Sequence, residues 1–337
     1  MNLQDSKYAT FALVREMMET TEVVRKFDPM VATSYAEKAM AKKGLFLTGE
    51  GSSRIFPAKR AMYDILKWGA KIPVYTDGST QAMEYALKDL AVFGASNSGK
   101  TKEVVRLFMK LREEGHDSLF GLTANENTKL AELAHETHVL NCGKEDAVAA
   151  TKSVIEQGLF YDAMIRQMLG KCMCGFDELP DQINTALTSV IDPEIILAAK
   201  NADKIYFAGR NNGVVEELTL KTNEITRKKS EFLEGTYAVH GIEEVMDKNE
   251  VVIIVEPFLS EEEKFMECLV KGVGMKVVAI SSRQTSFPTF IIPEGGKMAP
   301  YVELAAGWNL LVEIGMALGI DLDKPTRARK IGNEFFV

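Results

Sequence analysis

The sequence predicts an α/β chain built from two doubly wound parallel sheets with helices on both faces, a helical arm before them and a short tail after them. Three observations predict this. Short apolar runs alternate with longer helical patterns through most of the chain, which is the order a covered parallel sheet requires. The same order returns about 160 residues later, where Phe46-Leu-Thr-Gly49 stands against Tyr206-Phe-Ala-Gly209. Two of the apolar runs end in glycine- and hydroxyl-rich turns that lead into helical patterns, at 49–53 and 94–101.

Element by element, residues 1–40 form the arm. "MNLQDSKYATFALVREMMETTEVV" is charge-mixed and amphipathic, with no basic leader followed by an apolar stretch. The first unit is expected over 41–180. Strand "GLFLTG" opens it, followed by the helical "RIFPAKRAMYDILKWGA", the strand "KIPVYT", the helical "STQAMEYAL" and the strand "LAVFGAS". The helical "GKTKEVVRLFMKLREEG" and the strand "SLFGLTA" come next. The seam falls in "GKCMCGFDELPDQIN". The second unit is expected over 190–320, with strand "KIYFAG", helix "GVVEELTLKTNEITRKKS", strand "EVVIIVE" and its following helix, and strand "MKVVAISS". Val92 and Ile253, and Gly115 and Gly274, repeat at nearly the same offset. Residues 321–337 are the tail.

Composition excludes several classes. The chain has 337 residues and a formal net charge of -8, with no basic stripe to meet nucleic acid. No apolar run is long enough to span a membrane. Four cysteines give no disulfide framework, and the expected setting is a reducing cytoplasm. Cys172 and Cys174 form a C-x-C without a nearby second ligand pair, so plain packing is expected there and no metal. His135 and His138 of "HETH" are three apart, not in H-E-x-x-H spacing, and are expected on a helix surface or end.

The stretch Gly94-Ala-Ser-Asn-Ser-Gly99-Lys100-Thr101 matches the P-loop pattern of nucleotide hydrolases. Its position argues otherwise. It closes what reads as the third strand of its unit, and the acidic strand end that would serve a magnesium ion, "VVIIVE", reads as belonging to the other unit. The phosphate physics survives. Small residues leading into a helix N-terminus offer backbone N–H groups and a positive dipole end to any phosphate. Ser96, Ser98 and Thr101 add hydroxyls, and Gly51-Ser52-Ser53 forms a second such turn.

"GEGSS" followed by "SNSGKT" resembles the sugar isomerase (SIS) domain family, whose phosphate loop reads S-x-S-G-x-T. The tandem arrangement resembles the isomerase half of glucosamine-6-phosphate synthases and free-standing deaminases and deglycases of that family, over residues 40 to 337. The resemblance implies two flavodoxin-like SIS domains, no cofactor, and a phosphorylated sugar or amino sugar as ligand. It implies that Ser53, Ser96, Asn97, Ser98 and Thr101 hold the phosphate. It also implies that "GKEDAVAATKS" closes the sugar pocket, through Glu145, Val148 and Ala150, beside Gly51 and Ser52. Ala150 stands where a serine is common.

Chemistry is expected from the second unit. "LKTNEITRKKSEFLEGTYAVHG" resembles the family's L-K-x-x-E…H-G segment without a gap, which implies Glu224 as the catalytic carboxylate and His240 as the histidine. Ile242 replaces a usual proline. The tail "DLDKPTRARK" resembles the family's end, which implies Lys330 as the substrate-facing lysine. Such residues suit aldose–ketose chemistry. Glu224 would carry the proton between C1 and C2. His240 would assist ring opening near neutral pH. Lys330 could form a Schiff base with the open ketose. Lys221, one turn before Glu224, would place positive charge near the enediolate. Glu231, Glu234, Glu243 and Glu244 are expected to be solvated.

The resemblance further implies a homodimer with shared active sites. The favoured activity is release of an amine in the manner of a glucosamine-6-phosphate deaminase. The alternatives are a fructosamine-6-phosphate deglycase, a phosphosugar isomerase, a non-catalytic sugar-phosphate sensor and a P-loop NTPase.

Overall fold

Ten strands of the computed structural model, which describes residues 1–327 and 334–335, pair into two parallel five-stranded sheets. The strands are β1 (Gly44–Gly49), β2 (Val74–Gly78), β3 (Leu90–Ala95), β4 (Leu119–Thr123), β5 (Glu136–Val139), β6 (Lys204–Gly209), β7 (Lys229–Glu234), β8 (Val251–Val255), β9 (Lys276–Ser281) and β10 (Thr289–Ile291). The sheet orders are β2-β1-β3-β4-β5 and β10-β9-β8-β6-β7. Taken in chain order within each sheet, both read 2-1-3-4-5, the flavodoxin-like doubly wound order. The expected fold class is the one observed. The principal helices are α1 (Ala12–Lys26), α2 (Thr33–Ala39), α3 (Ile55–Lys67), α4 (Lys102–Glu113), α5 (Lys152–Met168), α6 (Leu179–Thr188), α7 (Pro193–Asn201), α8 (Val214–Thr226) and α9 (Ala299–Ala317).

Contacts divide the described chain into two units. One holds 22–145, 150–174 and the tail residues 334–335; the other holds 1–21, 146–149 and 175–327.

In the unit of the first sheet, side-chain alternation along β3 explains why helices cover both faces. Val92 points into one apolar cluster with Val104, Leu107 and Phe108 of α4. Phe93 points the other way, stacked on Phe120 at 4.6 Å and edge-on to Tyr161 of α5 at 6.1 Å. Helices α3 and α5 are tied by a buried ion pair: the Arg60 guanidinium donates to Asp162 Oδ2 through Nε at 3.0 Å and Nη2 at 2.8 Å. Asp64 lies 3.5 Å from Arg60 and 3.8 Å from Arg166. Burial holds the Asp64 carboxyl above its usual range, against the pull of Arg60.

In the unit of the second sheet, β8 is entirely apolar and buried. Tyr206, Val252, Ile254, Phe265 and Leu269 form one of its clusters. Helix α9 is buried along most of its length, as a helix apolar all round must be. The Asp323 carboxylate accepts the amides of Ala12 at 2.7 Å and Leu13 at 2.8 Å, and so caps α1.

Several expectations are corrected. Of "HETH", His135 follows the end of a short helix, Lys129–Leu133, as expected, but His138 lies in the edge strand β5, residues 136–139. Its short alternating pattern has too few apolar residues to announce itself. His138 is packed against aromatic rings, 4.8 Å from the Phe160 ring and 6.3 Å from Tyr35. The C-x-C is not plain packing either, since Cys172 and Cys174 are joined in a disulfide. Helix "STQAMEYAL" is reduced to one turn, Ser79–Ala82. The charged stretch after α8 is a strand, β7.

His138 carries a pH prediction. Burial lowers its imidazole to about 4. An imidazole with a depressed folded pKa stabilises the fold fully above its unfolded value near 6.5 and loses that contribution as pH falls from there toward 4. The expected loss is at most about 3 kcal/mol. Urea midpoints measured between neutral pH and pH 4 should fall less steeply in His138→Phe than in the wild type. Identical pH slopes would remove His138 as the cause.

Candidate active site

The hydroxyl-rich loop forms as the residue pattern requires. β3 ends at Ala95 and α4 begins at Lys102. Between them Gly99 has φ +65°, and a Cβ there would stand 2.4 Å from the Thr128 side chain, so only glycine fits. The loop is braced from within. Ser96 is buried, and its hydroxyl lies 2.7 Å from that of Thr101. The Thr101 amide donates to Ser96 Oγ at 3.3 Å, and the Lys100 amide to Ser98 Oγ at 3.2 Å. The carbonyl of Asn97 accepts the Ala124 amide at 3.0 Å and the Asn125 side-chain amide at 2.9 Å. The first amides of α4 have no intrahelical acceptor and point out of the helix start, as at any α-helix N-terminus. Lys100 is exposed.

The second turn meets this loop at Gly49. A Cβ on Gly49 would lie 2.8 Å from the Ala95 carbonyl oxygen and 3.1 Å from that of Ser53. Glycine at the end of β1 therefore lets the Gly51–Ser53 turn and the 96–101 loop approach one another. β1 and β3 are neighbours at the position where the strand order reverses, the crevice where open sheets of this kind take ligands. Gly51 is exposed with φ +53°, Ser52 is buried, and Ser53 is half-buried.

Of the expected sugar-pocket residues, Glu145 has the most elaborate surroundings. Its carboxylate accepts the Asn97 side-chain amide at 2.8 Å, the Thr151 amide at 2.7 Å and the Ser153 hydroxyl at 2.7 Å. It ties the segment ahead of α5 to the phosphate loop, and those bonds occupy both its oxygens. Ala150 is half-buried in the same unit. Val148, also half-buried, belongs to the other unit, where the neighbouring amides of Asp146 and Ala147 bond to the Glu16 carboxylate.

Sequence reasoning missed Glu50. It follows β1 directly, and its carboxylate accepts the Ser79 amide at 2.9 Å. Burial, with the Glu103 carboxylate adding to it, holds Glu50 above the ordinary carboxylate range. It was hidden because a lone glutamate in a glycine turn carries no pattern. The contact of the expected tail with this loop carries no sequence signal either. Glu334 bridges Thr101 in antiparallel fashion, and the Phe335 amide donates to the Lys100 carbonyl at 2.8 Å. Lys330 lies outside the described residues.

In the second unit, Lys221 is wholly buried on α8, and its ammonium donates to Glu224 Oε2 at 2.8 Å. Glu217, one turn earlier and equally buried, lies 3.3 Å from the same ammonium. Burial alone would lower the Lys221 pKa. The charges of Glu224 and Glu217 outweigh it and hold the ammonium above its ordinary value. Glu224 is the member that reaches the surface, with its side chain 23 % exposed. Arg227, in left-handed conformation at φ +58°, closes the helix by donating to the carbonyls of Glu224 and Ile225.

His240 is not brought to Glu224. α8 runs from the C-terminal edge of the second sheet to its N-terminal edge, where β7 starts, and Glu224 sits near its end. His240 follows β7 and is exposed, with Nε2 3.2 Å from the Lys264 ammonium just beyond β8. One strand length, about 20 Å, separates the two ends.

Comparison with known proteins agrees with this architecture. Residues 39–166 match the SIS domain family. A curated relative, the isomerizing glutamine–fructose-6-phosphate aminotransferase of Bacillus licheniformis, is 26% identical over 282 residues, covering 77% of this chain and 46% of the relative. The chain thus spans about half the length of that relative. Among solved structures, the C-terminal domain of glucosamine-fructose-6-phosphate aminotransferase from Francisella tularensis superposes with a TM-score of 0.79 at 18% identity, covering 95% of this chain and all of that one. Tagatose-6-phosphate ketose/aldose isomerase from Escherichia coli gives 0.78 at 17% identity, with 96% and 98% covered. Glucosamine-6-phosphate deaminase from Thermotoga maritima gives 0.72 at 21% identity, with 96% and 99% covered. At these identities the likeness is one of fold.

Proposed function

We propose that this chain, carrying a SIS domain over residues 39–166, is a sugar-phosphate enzyme that releases an amine from an amino-sugar or fructosamine phosphate. Within that class we favour a reaction like that of a glucosamine-6-phosphate deaminase. The observation that carries the reading is the braced hydroxyl loop 96–101 at the start of α4, set beside Ser53 at the crevice of the first sheet. Its fixed donors suit a dianionic phosphate. The loop follows β3, and the strand end that would imitate a magnesium ligand, at Glu256, belongs to the second sheet. Both facts weigh against a nucleotide.

The roles follow from the residues. Ser53, Ser96, Asn97, Ser98 and Thr101 hold the phosphate, with Glu145 fixing Asn97. Glu224 takes the proton from one sugar carbon and returns it to the next. Lys221 orients Glu224 through its hydrogen bond at 2.8 Å and places a positive charge beside it. His240 helps open the ring. Because His240 and Glu224 stand at opposite edges of one sheet, a homodimer in which the histidine serves the partner's site accounts for both. Tyr237, Val245 and Leu259, near His240 in sequence or across the same sheet edge, are 49%, 77% and 73% exposed.

Titration calorimetry tests the phosphate assignment. Ser98→Ala with Thr101→Ala removes two donors to a charged group, each worth roughly 1.5–3 kcal/mol. The dissociation constant for fructose 6-phosphate or glucosamine 6-phosphate should therefore rise by at least about 100-fold. Tight binding of ATP with magnesium, and no affinity for either sugar phosphate, would reject the reading.

A further inference from the structure

Cys172 and Cys174 differ from the other two cysteines in every respect that governs reactivity. Their Cα atoms are 5.3 Å apart, their sulfurs are joined, and both residues are exposed. Cys142 and Cys268 are free, one buried and the other half-buried. Burial, with the carboxylates of Glu156 and Glu145 adding to it, pushes the Cys142 thiol far above its ordinary range.

The bridged pair follows α5 directly and is anchored there. The Lys171 amide donates to the Arg166 carbonyl at 2.8 Å, and the Arg166 guanidinium donates back to the Cys172 carbonyl at 3.0 Å. That guanidinium lies 4.8 Å from the Trp68 ring centre and the Lys171 ammonium 5.4 Å from it. Two cations thus share one aromatic platform, and one of them is bonded to the Cys172 carbonyl.

These features have one chemical consequence. Exposure admits an attacking thiolate. A bridge between residues two apart closes a very short loop. It removes little freedom from the unfolded chain, so folding does little to hold it shut. Exposed bridges of this kind are the exchangeable ones.

We propose that Cys172–Cys174 is a thiol–disulfide exchange site whose co-substrates are small thiols of the glutathione type. The thiolate of the small molecule attacks one cysteine sulfur and forms a mixed disulfide. The Cys172–Cys174 bond breaks, and the displaced cysteine leaves as a thiolate that takes a proton from water. A second small thiolate attacks the mixed bond and frees the first cysteine. In balance, two small thiols are oxidised to one disulfide, and the protein pair gains two electrons and two protons. Oxidised glutathione drives the reverse. The site is independent of the sugar-phosphate reading.

The test equilibrates the folded full chain in glutathione buffers from fully oxidised to fully reduced, quenches with an alkylating agent and maps the label by mass spectrometry. The peptide holding Cys172 and Cys174 should pass from unlabelled to doubly labelled within that range, and back again, while Cys142 stays unlabelled. Cys174→Ser should gain one glutathione at Cys172 in oxidised buffer. Two outcomes would overturn the proposal: double labelling even in oxidised buffer, or a bridge that persists in excess reduced glutathione until the protein unfolds. A Cys174→Ser protein that gains no glutathione would overturn it too.

Discussion

Glu224→Gln is expected to lower kcat for amine release by about 10²–10⁴-fold, the usual contribution of a positioned acid–base group. KM should change little, because the hydroxyl loop of the first sheet is untouched. The amide oxygen of Gln can still accept from the Lys221 ammonium, which now lies 2.8 Å from the carboxylate. What disappears is the ability to take up a proton. His240→Ala should also lose turnover, and more so with cyclic sugars than with an open-chain analogue. If the histidine serves the partner's site, mixing the Glu224→Gln and His240→Ala proteins should restore activity, since each mixed dimer regains one intact site. Random assortment of two-fold symmetric dimers then gives about a quarter of wild-type activity. No recovery on mixing would place both residues in one subunit's site, and an unimpaired Glu224→Gln would assign the base elsewhere.

The second large effect concerns stability. Asp162→Ala should destabilise the fold by about 3–5 kcal/mol, because it removes the acceptor of two Arg60 hydrogen bonds and the opposite charge closest to that guanidinium in the interior. Arg60 is 1 % exposed and donates twice to the same Asp162 oxygen. Asp64, at 3.5 Å, is too far for a good hydrogen bond and is already held above its usual range by burial. The double change Arg60→Met, Asp162→Leu removes both charges and should recover much of the loss. Urea unfolding of the three proteins measures this. An Asp162→Ala protein within about 0.5 kcal/mol of wild type, the scatter expected at ordinary surface sites, would show that the pair is not desolvated as described.

The fold was legible where strands are central. β1, β3, β6 and β8 are buried on both faces, so their apolar runs stand out, as do the terminal glycines of β1 and β6, and the repeat between them follows. Three of the four edge strands were not. β5 and β10 are short, all three are half-exposed, and β7 carries Lys229, Glu231 and Glu234. A strand with one solvated face shows no continuous apolar run, and the expected helix "GVVEELTLKTNEITRKKS" extends over its first residues, Lys229 and Ser230. The site divides in the same way. Ser96, Ser98 and Thr101 form a local pattern, and so do Lys221 and Glu224 within one helical turn. Glu217, four residues before Lys221, carries no pattern that singles it out, and only the packing of α8 shows it buried. The Arg60–Asp162 pair joins residues 102 apart, and no local pattern encodes it. The bridge between Cys172 and Cys174 was missed because four cysteines in a chain of this size argue against disulfides on composition alone.

Solvent-hydrogen exchange at C1 of a ketose phosphate tests the central claim most directly. The chain is incubated with fructose 6-phosphate in deuterated water, and the C1 proton signals are followed by NMR. Wild-type protein is expected to wash deuterium into C1, because a proton carried between C1 and C2 by a carboxylate exchanges with solvent between transfers. Glu224→Gln should show exchange reduced by about the factor expected for kcat, and the Ser98→Ala, Thr101→Ala double variant should need far more ketose phosphate to reach the same rate. Exchange that persists undiminished in Glu224→Gln would contradict the account.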